Sequence, residues 1–472
     1  MKNIVINEKD SVGVALEAAG NIPAGHKYAL RDIKCGEPVY KYGEVIGRAT
    51  ADIAAGEWVH THNMRSHLDE DFSYTYEFRA STPTPEKRSF MGYRRSRGRA
   101  GIRNEIYIIP TVGCVNGICK RLEAAAQEFV SGSIDGIFHL PHQFGCSQLG
   151  DDGENIKKLL TGVALNPNAS FVLFVGLGCE NNSLDGIKAA LEPYGRDNIA
   201  YFNCQDVEDE HAFGLEILKG FADKAKDFRR EEIDLSELCI GLKCGGSDGY
   251  SGLTANPLVG RISDKVVAAG GSAILTEVPE MFGAEQILMN KCRDECIFNR
   301  YKKMIVDFKD SYTRAGFPVY ENPSPGNKKG GITTLEEKSL GCVQKGGSAP
   351  VVDVLNYGDR VTKNGLSLLD GPGNDIVAIT NLTAAGAHII LFTTGRGTPL
   401  GAPVPTVKVA TNHALAENKR SWIDYDASPV LAGKDIDADF FDHVIEVASG
   451  KETKNETHGY REISIFKSGV TL

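Results

Sequence analysis

Four segments of this chain end an apolar run with a small residue, a cysteine and then polar groups. They are VGCVN at 112–116, FGCSQ at 144–148, LGCEN at 177–181 and LKCGG at 242–246. Thiolates are soft ligands, suited to iron or to an iron–sulfur cluster. Cys114, Cys146, Cys179 and Cys244 are therefore the first candidates for chemistry, with small close-packed residues at strand ends as the bland reading. Spacing alone does not say whether they converge, and there is no CxxC pair among them. Cys292 and Cys296 stand four apart, which on a helix reads as a pair of ordinary thiols.

The eleven histidines give a second set. In HTHN at 60–63, His60 and His62 fall on one side of a strand-like segment, where side chains two apart can share a metal or an anion. His26 lies in AGHKYAL beside Lys27. His139 and His142 lie in HLPHQFGC, a loop that could hold a general base. Five arginines crowd RRSRGRAGIRN at 94–104, and planar guanidinium groups clamp carboxylates bidentately. Arg396, in TTGRGTPLG, sits in a glycine-rich loop after an apolar strand, where backbone N–H groups face an anion. Acidic groups follow several strand ends: Asp151, Asp152, Glu180, Asp248, Glu277 and Glu280. Each could hold a divalent ion or cap a helix.

The elements that must position these groups come in two styles. Up to about residue 72 the chain runs in short β-like pieces broken by Gly and Pro, which predicts a small all-β module. Residues 73–103 lack apolar periodicity and read as a linker. From residue 104 apolar strands alternate with helices, as in NEIYIIPTVGC followed by GICKRLEAAAQEFV, which predicts parallel sheets covered on both faces. The expected divisions are a middle α/β unit at 104–232 and a C-terminal Rossmann-like α/β unit at 233–472. EQILMNKCRDECIFNRYKKMIVDFKDSYTRAG reads as one long helical stretch, and DIVAITNLTAAG as one of the last strands. Ligands of open α/β sheets bind at the carboxyl ends of the strands, so the four cysteines are expected on one sheet edge.

Composition narrows the function. The chain has 472 residues, enough for two to four domains, with 42% hydrophobic residues and a net charge of −10. An acidic whole argues against nucleic acid, and no apolar run is long enough for a transmembrane helix. MKNIVINEKDS lacks the apolar core of a secretory signal, so a cytoplasmic protein with reduced thiols is expected. GLGCEN and GRGTPLG both fail the dinucleotide fingerprint, and no phosphate-loop lysine motif or GxSxG elbow occurs.

Several long blocks resemble the altronate/galactarate dehydratase family. They include GHKYALRDI at 25–33, KYGEVIGRA at 41–49, HTHN, FMGYRRSRGRAGIRN at 90–104, KCGGSDGYSGLTANPLVGRISDKVVAAGG at 243–271, TEVPEMFGAE at 276–285 and TTGRGTPLGAPVPTVKVATN at 393–412. They run in family order over nearly the whole chain, and HTHN after the KYG block looks like the altronate branch. The resemblance implies an N-terminal β-clip domain of the SAF type and a dependence on Fe²⁺ or Mn²⁺. It implies dehydration of D-altronate in hexuronate catabolism: a base takes the C2 proton, the C3 hydroxyl leaves, and the enol becomes a 2-keto-3-deoxy acid.

On that resemblance Cys114, Cys146, Cys179 and Cys244, with Asp248 or Glu277, are expected at the metal. Arg99, Arg103, Asn104, Asn116 and Arg396 are expected around the substrate carboxylate. His26, Lys27, His60 and His62 would close over the site from the β domain, and His142 or Lys243 would be the base. A homodimer acting on a small sugar acid is expected. The competing readings are galactarate or another sugar acid as substrate, an iron–sulfur version of the same reaction, and a sugar-acid-binding protein without turnover.

Overall fold

The computed structural model describes residues 3–68, 73–81, 84–319 and 322–472. The N-terminal part is all β. Strands β1 (Asn3–Ile4), β2 (Val12–Ala15), β3 (Lys27–Ala29), β4 (Pro38–Lys41), β5 (Glu44–Ala49), β6 (Trp58–Val59) and β7 (Met64–Arg65) form two small sheets, ordered β1-β2-β3-β6 and β4-β5-β7. Their pairings are antiparallel throughout.

Strand β8 (Ser89–Gly92) opens the passage to a parallel sheet of β9 (Glu105–Pro110), β10 (Gly136–His139), β11 (Ala169–Gly176) and β12 (Ile199–Asn203), ordered β10-β9-β11-β12. All eight residues of β11, ASFVLFVG, are buried, as an apolar strand covered on both faces must be. β13 (Glu231–Asp234) returns to pair with β8. The largest sheet is parallel and has seven strands: β14 (Cys239–Cys244), β15 (Ser272–Leu275), β16 (Val351–Leu355), β17 (Gly365–Leu369), β18 (Ile389–Thr394), β19 (Thr406–Ala410) and β20 (Tyr425–Asp426). Their order is β16-β17-β15-β14-β18-β19-β20, so β14 is central. The fold is thus α/β with a small all-β unit at its N-terminus.

Three local expectations change. DIVAITNLTAAG is not a strand but the helix Asp375–Ala385, started by the Asn374 side chain accepting from Val377 N–H and ended at Gly386 with φ +105°. Nine of its eleven residues are buried, so it is covered on nearly every side and shows no amphipathic helical period. The long helical stretch breaks at 290–294: Asp294 caps a new helix, Glu295–Arg314. Cys292, buried, therefore precedes the helix that carries exposed Cys296, and the two do not share it.

The 73–103 segment is no free tether. Arg79 N–H bonds to the Asn290 carbonyl, Ser81 N–H to that of Ser348, and the Tyr76 hydroxyl to that of Cys292. Its arginines are staples. Arg99 donates to the Glu237 and Leu238 carbonyls, Ser272 Oγ and Asn364 Oδ1, at the amino ends of β14 and β15. Arg103, 2% exposed, pairs with Glu456 at 2.6 Å and donates to the carbonyls of Ile102, Val447 and Lys451. Asn104 donates to Ser133 and the Ala225 carbonyl.

The β domain packs backbone to backbone on the large α/β part: a Cβ on Gly249, whose N–H bonds to the Gly330 carbonyl within that part, would lie 1.9 Å from the Gly25 carbonyl oxygen of the β domain. No side chain fits there. Gly249→Ala is expected to cost about 1–3 kcal/mol by overpacking, read as a lower melting temperature with earlier proteolysis of the N-terminal domain.

Candidate active site

The carboxyl end of β14 places two reactive side chains on opposite faces of the central strand. Lys243 and Cys244 are consecutive, and successive strand residues point to opposite sides.

On one side, Lys243 Nζ lies 2.8 Å from Glu277 Oε1 and 2.7 Å from Asp375 Oδ1, and it donates to the Cys244 carbonyl. Burial opposes its charge, but Glu277 and Asp375 outweigh it and hold the ammonium well above its usual pKa. Lys243 is therefore charged, which removes it as the resting base. Glu277 has the left-handed φ of +71°, rare for a residue with a Cβ, and its Oε2 is buried without a hydrogen-bond partner. Burial and the neighbouring Glu280 push its carboxyl well up.

On the other side, Cys244 Sγ lies 3.4 Å from Cys342 Sγ, 2.9 Å from Glu280 Oε2 and 2.9 Å from Lys345 Nζ. The hydrogen bond with Cys342, helped by Lys345 and Lys243 against burial, brings the Cys244 thiol down to about 7. The same bond and burial push Cys342 up, so Cys342 keeps its proton to higher pH than Cys244 does. Glu280 is buried, but Lys338, Lys345 and Lys243 keep it ionised well below the carboxylate range. Lys338 Nζ stands 2.9 Å from its Oε1.

Among the described residues, Cys244, Glu280 and Cys342 are the one compact group whose donor atoms could hold a metal ion. Sulfur donors would suit iron better than manganese. The group does not fit a cation as it stands. Lys345 already caps the Cys244 sulfur and Lys338 the Glu280 carboxylate, so any anionic charge of the set is answered by protein ammonium groups.

Beside this cluster opens a cavity of about 830 Å³, lined among others by Gly245, Glu280, Tyr312, Lys338, Asp375 and Thr398. Asp375, with its side chain 40% exposed, presents a carboxylate to it, backed by the Lys243 ammonium. Arg396 packs over Gly246 and reaches beside Gly326 next to the cavity, with no acidic partner among the described residues. A second cavity of about 670 Å³ shares Asn322 with the first and is lined by Arg48, Arg65, His67 and Lys328. An acidic chain thus carries a basic hollow where its β domain meets the segment 322–335.

The helix Leu335–Cys342 joins the two regions. Lys338 and Cys342, one turn apart, serve the β14 cluster. Glu336 and Glu337 hold the β domain. Glu337 takes Lys27 and Lys41, each at 2.8 Å, and Glu336 takes Ser66 Oγ and the His67 backbone. Lys27 is fully buried and also donates to the Gly331 carbonyl and Thr333 Oγ1. Desolvation brings it down to about 8 despite Glu337.

The β-domain histidines form an aromatic stack and not a strand pair. His60 to Asn63 make a turn, with Asn63 N–H and Met64 N–H both bonded to the His60 carbonyl. The rings of His60 and exposed His62 both pack on Trp58, with centroids 5.5 and 5.1 Å away. His60 Nδ1 meets Thr333 Oγ1 at 2.9 Å. His26 accepts from the Trp58 indole and faces the Lys329 carbonyl. Burial, then Lys27 and His26, lower His60 to about 4. An unfolded histidine binds its proton near 6.5, so between pH 6.5 and 4 only the unfolded state is protonated at this position. Stability is therefore lost on acidification through that window and is unaffected above it. Melting temperature followed against pH is expected to fall more steeply below 6.5 for the parent chain than for His60→Asn.

The remaining expected site residues lie elsewhere. His142 has both ring nitrogens engaged, with the Pro110 carbonyl at 2.7 Å and Phe144 N–H at 3.3 Å, so it is a loop brace with no free lone pair. Asp248 is saturated by Thr411, Ser251, Asn412 and Tyr250 N–H. That leaves its carboxylate shaping the loops and not ligating. Arg99, Arg103 and Asn104 spend their donors as staples away from the cavity. Cys114, Asn116, Cys146 and Cys179 lie at the carboxyl edge of the other, four-stranded sheet. Sequence reasoning passed over Cys342, although LGCVQ at 340–344 repeats the small–Cys–polar signature of the other four. It also passed over Lys338, Lys345 and Asp375.

Three family models match in order along the chain. The "Altronate/galactarate dehydratase SAF domain" covers residues 1–67. The "D-galactarate dehydratase/Altronate hydrolase, second domain" covers 92–226, and "D-galactarate/Altronate dehydratase, C-terminal" covers 235–471. The chain belongs to the D-galactarate/altronate dehydratase family. The altronate dehydratase of Bacillus subtilis (strain 168) is 51% identical over 98% of this chain and 94% of its own. That of Escherichia coli (strain K12) is 48% identical over the whole of both. The galactarate dehydratase (L-threo-forming) of Escherichia coli is 32% identical over 96% of this chain and 91% of its own. In this member of the dehydratase family, the second-domain match ends before β14, so the Lys243–Cys244 cluster and its cavity fall within the C-terminal match. The SAF match carries the docking lysines.

Proposed function

We propose that the chain is a hydro-lyase that converts D-altronate to 2-dehydro-3-deoxy-D-gluconate and water. One observation carries the reading: full-length identity of 51% and 48% to two altronate dehydratases, against 32% to a galactarate dehydratase. The cavity beside β14 supports it chemically. The α-proton of a carboxylate is barely acidic, so its removal needs a base and a field that favours the enediolate. Asp375 is the base that meets the cavity. Lys243 orients it and, with Lys338, adds positive potential where charge develops. Lys338, charged at the cavity wall, helps the C3 hydroxyl leave. Arg396 receives the substrate carboxylate at the rim.

Fe²⁺, or Mn²⁺, belongs to this proposal on the strength of the family resemblance. No step is assigned to it at the Cys244 cluster, whose anionic groups are already paired with lysines. The chain's eleven cysteines are all free thiols, and no helix among the described residues is long and apolar enough to cross a membrane. We place the enzyme in the reducing cytoplasm, in hexuronate catabolism, as a homodimer.

A substrate panel tests the reading. Anaerobic protein supplied with Fe²⁺ and thiol is offered altronate, galactarate, mannonate, gluconate and sulfolactate, and 2-keto acid is measured. Altronate is expected to be the preferred substrate. Preference for galactarate would replace the substrate and keep the reaction. In the same assay Arg396→Ala is expected to raise KM about ten- to a hundredfold, the value of one charge-assisted hydrogen bond. An unchanged KM would remove Arg396 from the substrate.

A further inference from the structure

Five of the eleven cysteines are exposed: Cys35, Cys114, Cys146, Cys179 and Cys296. Cysteine is among the most buried residue types, so exposure is itself informative. Three of the five sit on one edge of the four-stranded sheet. Cys114 follows β9, Cys146 follows β10 and Cys179 follows β11, three adjacent strands in the order β10-β9-β11.

Their loops are laced into one unit. Gly113 N–H bonds to the Phe144 carbonyl and Asn182 N–H to that of Gly145, both at 2.9 Å. Ser147 N–H bonds to Asn181 Oδ1 at 2.8 Å, and Asn182 Nδ2 to the Thr111 carbonyl at 3.0 Å. Asn116 Nδ2 donates to the His142 carbonyl at 2.8 Å. Glu180 is not a spare ligand: its carboxylate accepts from Leu177 N–H, Gly178 N–H and Thr111 Oγ1, and so fixes the Cys179 loop. Gly145, with φ +113°, lets the Cys146 loop close over β9, since a Cβ there would lie 2.1 Å from the Thr111 carbonyl oxygen.

Two further observations point to a ligand. The side-chain oxygens of Asn116 and of Asn182, the latter 8% exposed, are buried without hydrogen-bond partners in these same loops. The helices Asn116–Ala126, Asp151–Ala164 and Leu184–Leu191 all begin just after the three cysteines. Their N-terminal ends favour an anionic group over a neutral one. Unlike Cys244, none of these thiols is paired with a lysine among the described residues.

The spacing separates two kinds of metal site. One tetrahedral ion would hold its sulfurs about 3.8 Å apart, from metal–sulfur bonds near 2.3 Å. The three thiols do not form such a compact group. An iron–sulfur cluster sets each thiolate on its own iron and needs wider spacing.

We propose that Cys114, Cys146 and Cys179 are the protein ligands of an iron–sulfur cluster of the four-iron kind, with the fourth iron left without a thiolate. The inference does not depend on which sugar acid the chain takes.

The test is anaerobic reconstitution of the full-length chain with Fe²⁺ and sulfide, followed by iron and acid-labile sulfide analysis, visible absorption and, after reduction, electron paramagnetic resonance. Cys114→Ser, Cys146→Ser and Cys179→Ser are each expected to lose bound sulfide and the visible band while melting as the parent does. Cys35→Ser and Cys244→Ala are expected to keep them. Iron bound without sulfide would overturn the cluster in favour of a mononuclear site. Sulfide kept by all three serine variants, or lost with Cys244→Ala, would place the cluster elsewhere and overturn the assignment. No iron and no sulfide on the parent chain would also overturn it.

Discussion

Asp375→Asn is expected to lower turnover of D-altronate by about 10²–10⁴-fold, the usual contribution of a positioned acid–base group. The side chain is part-exposed at the cavity and sits in the first turn of a helix whose cap is the neighbouring Asn374. An amide of the same shape keeps the hydrogen bond from Lys243 and disturbs no packing. Melting temperature should therefore hold while the rate falls. Altronate should still bind, since its carboxylate is assigned to Arg396. Calorimetry with altronate beside the kinetic assay separates these effects. A variant that turns over at the parent rate would take the base away from Asp375, and one that also unfolds early would show the residue to be structural.

The second large effect is on stability. Glu337 is the only carboxylate between Lys27 and Lys41 among the described ion pairs, and all three side chains are 0–1% exposed. Burial works against its ionisation, but the two lysines bring it down to about 2. Glu337→Ala strands two ammonium groups in a dry interface, and removing one partner of a buried pair costs about 3–5 kcal/mol. The loss falls on the docking of the β domain. Limited proteolysis is expected to release that domain early, and calorimetric melting should show it separating first. Because Lys338 and Cys342 lie on the same short helix, turnover should also fall. A variant that melts as the parent does would mean that the β domain docks through its backbone contacts alone.

The parts of this molecule legible in its sequence were those where one physical cause dominates. ASFVLFVG is apolar at every position because β11 is covered on both faces. The N-terminal domain shows as short runs cut by turn residues for the same local reason. DIVAITNLTAAG was misread because a helix buried on nearly all sides carries no 3.6-residue period. With it went Asp375, the carboxylate at the cavity.

The arginine-rich segment has the composition of a carboxylate clamp, but its donors go to backbone carbonyls from three parts of the chain. Such partners are set by tertiary approach and leave no trace in local sequence. Lys243 and Cys244 were found because they end a strand. Lys338, Cys342 and Lys345 were not, because they come from a segment about a hundred residues away and only tertiary approach brings them to β14. The LGCVQ echo was the one signal that could have recovered Cys342.

The most direct measurement follows D-altronate by proton NMR in heavy water, with anaerobic, thiol-reduced, iron-supplied protein. The account predicts 2-dehydro-3-deoxy-D-gluconate in equal amount to the altronate consumed, carrying one solvent deuterium at C3, because the enol left by loss of the C3 hydroxyl takes its proton there. Altronate left unchanged, or product without solvent deuterium at C3, would contradict it.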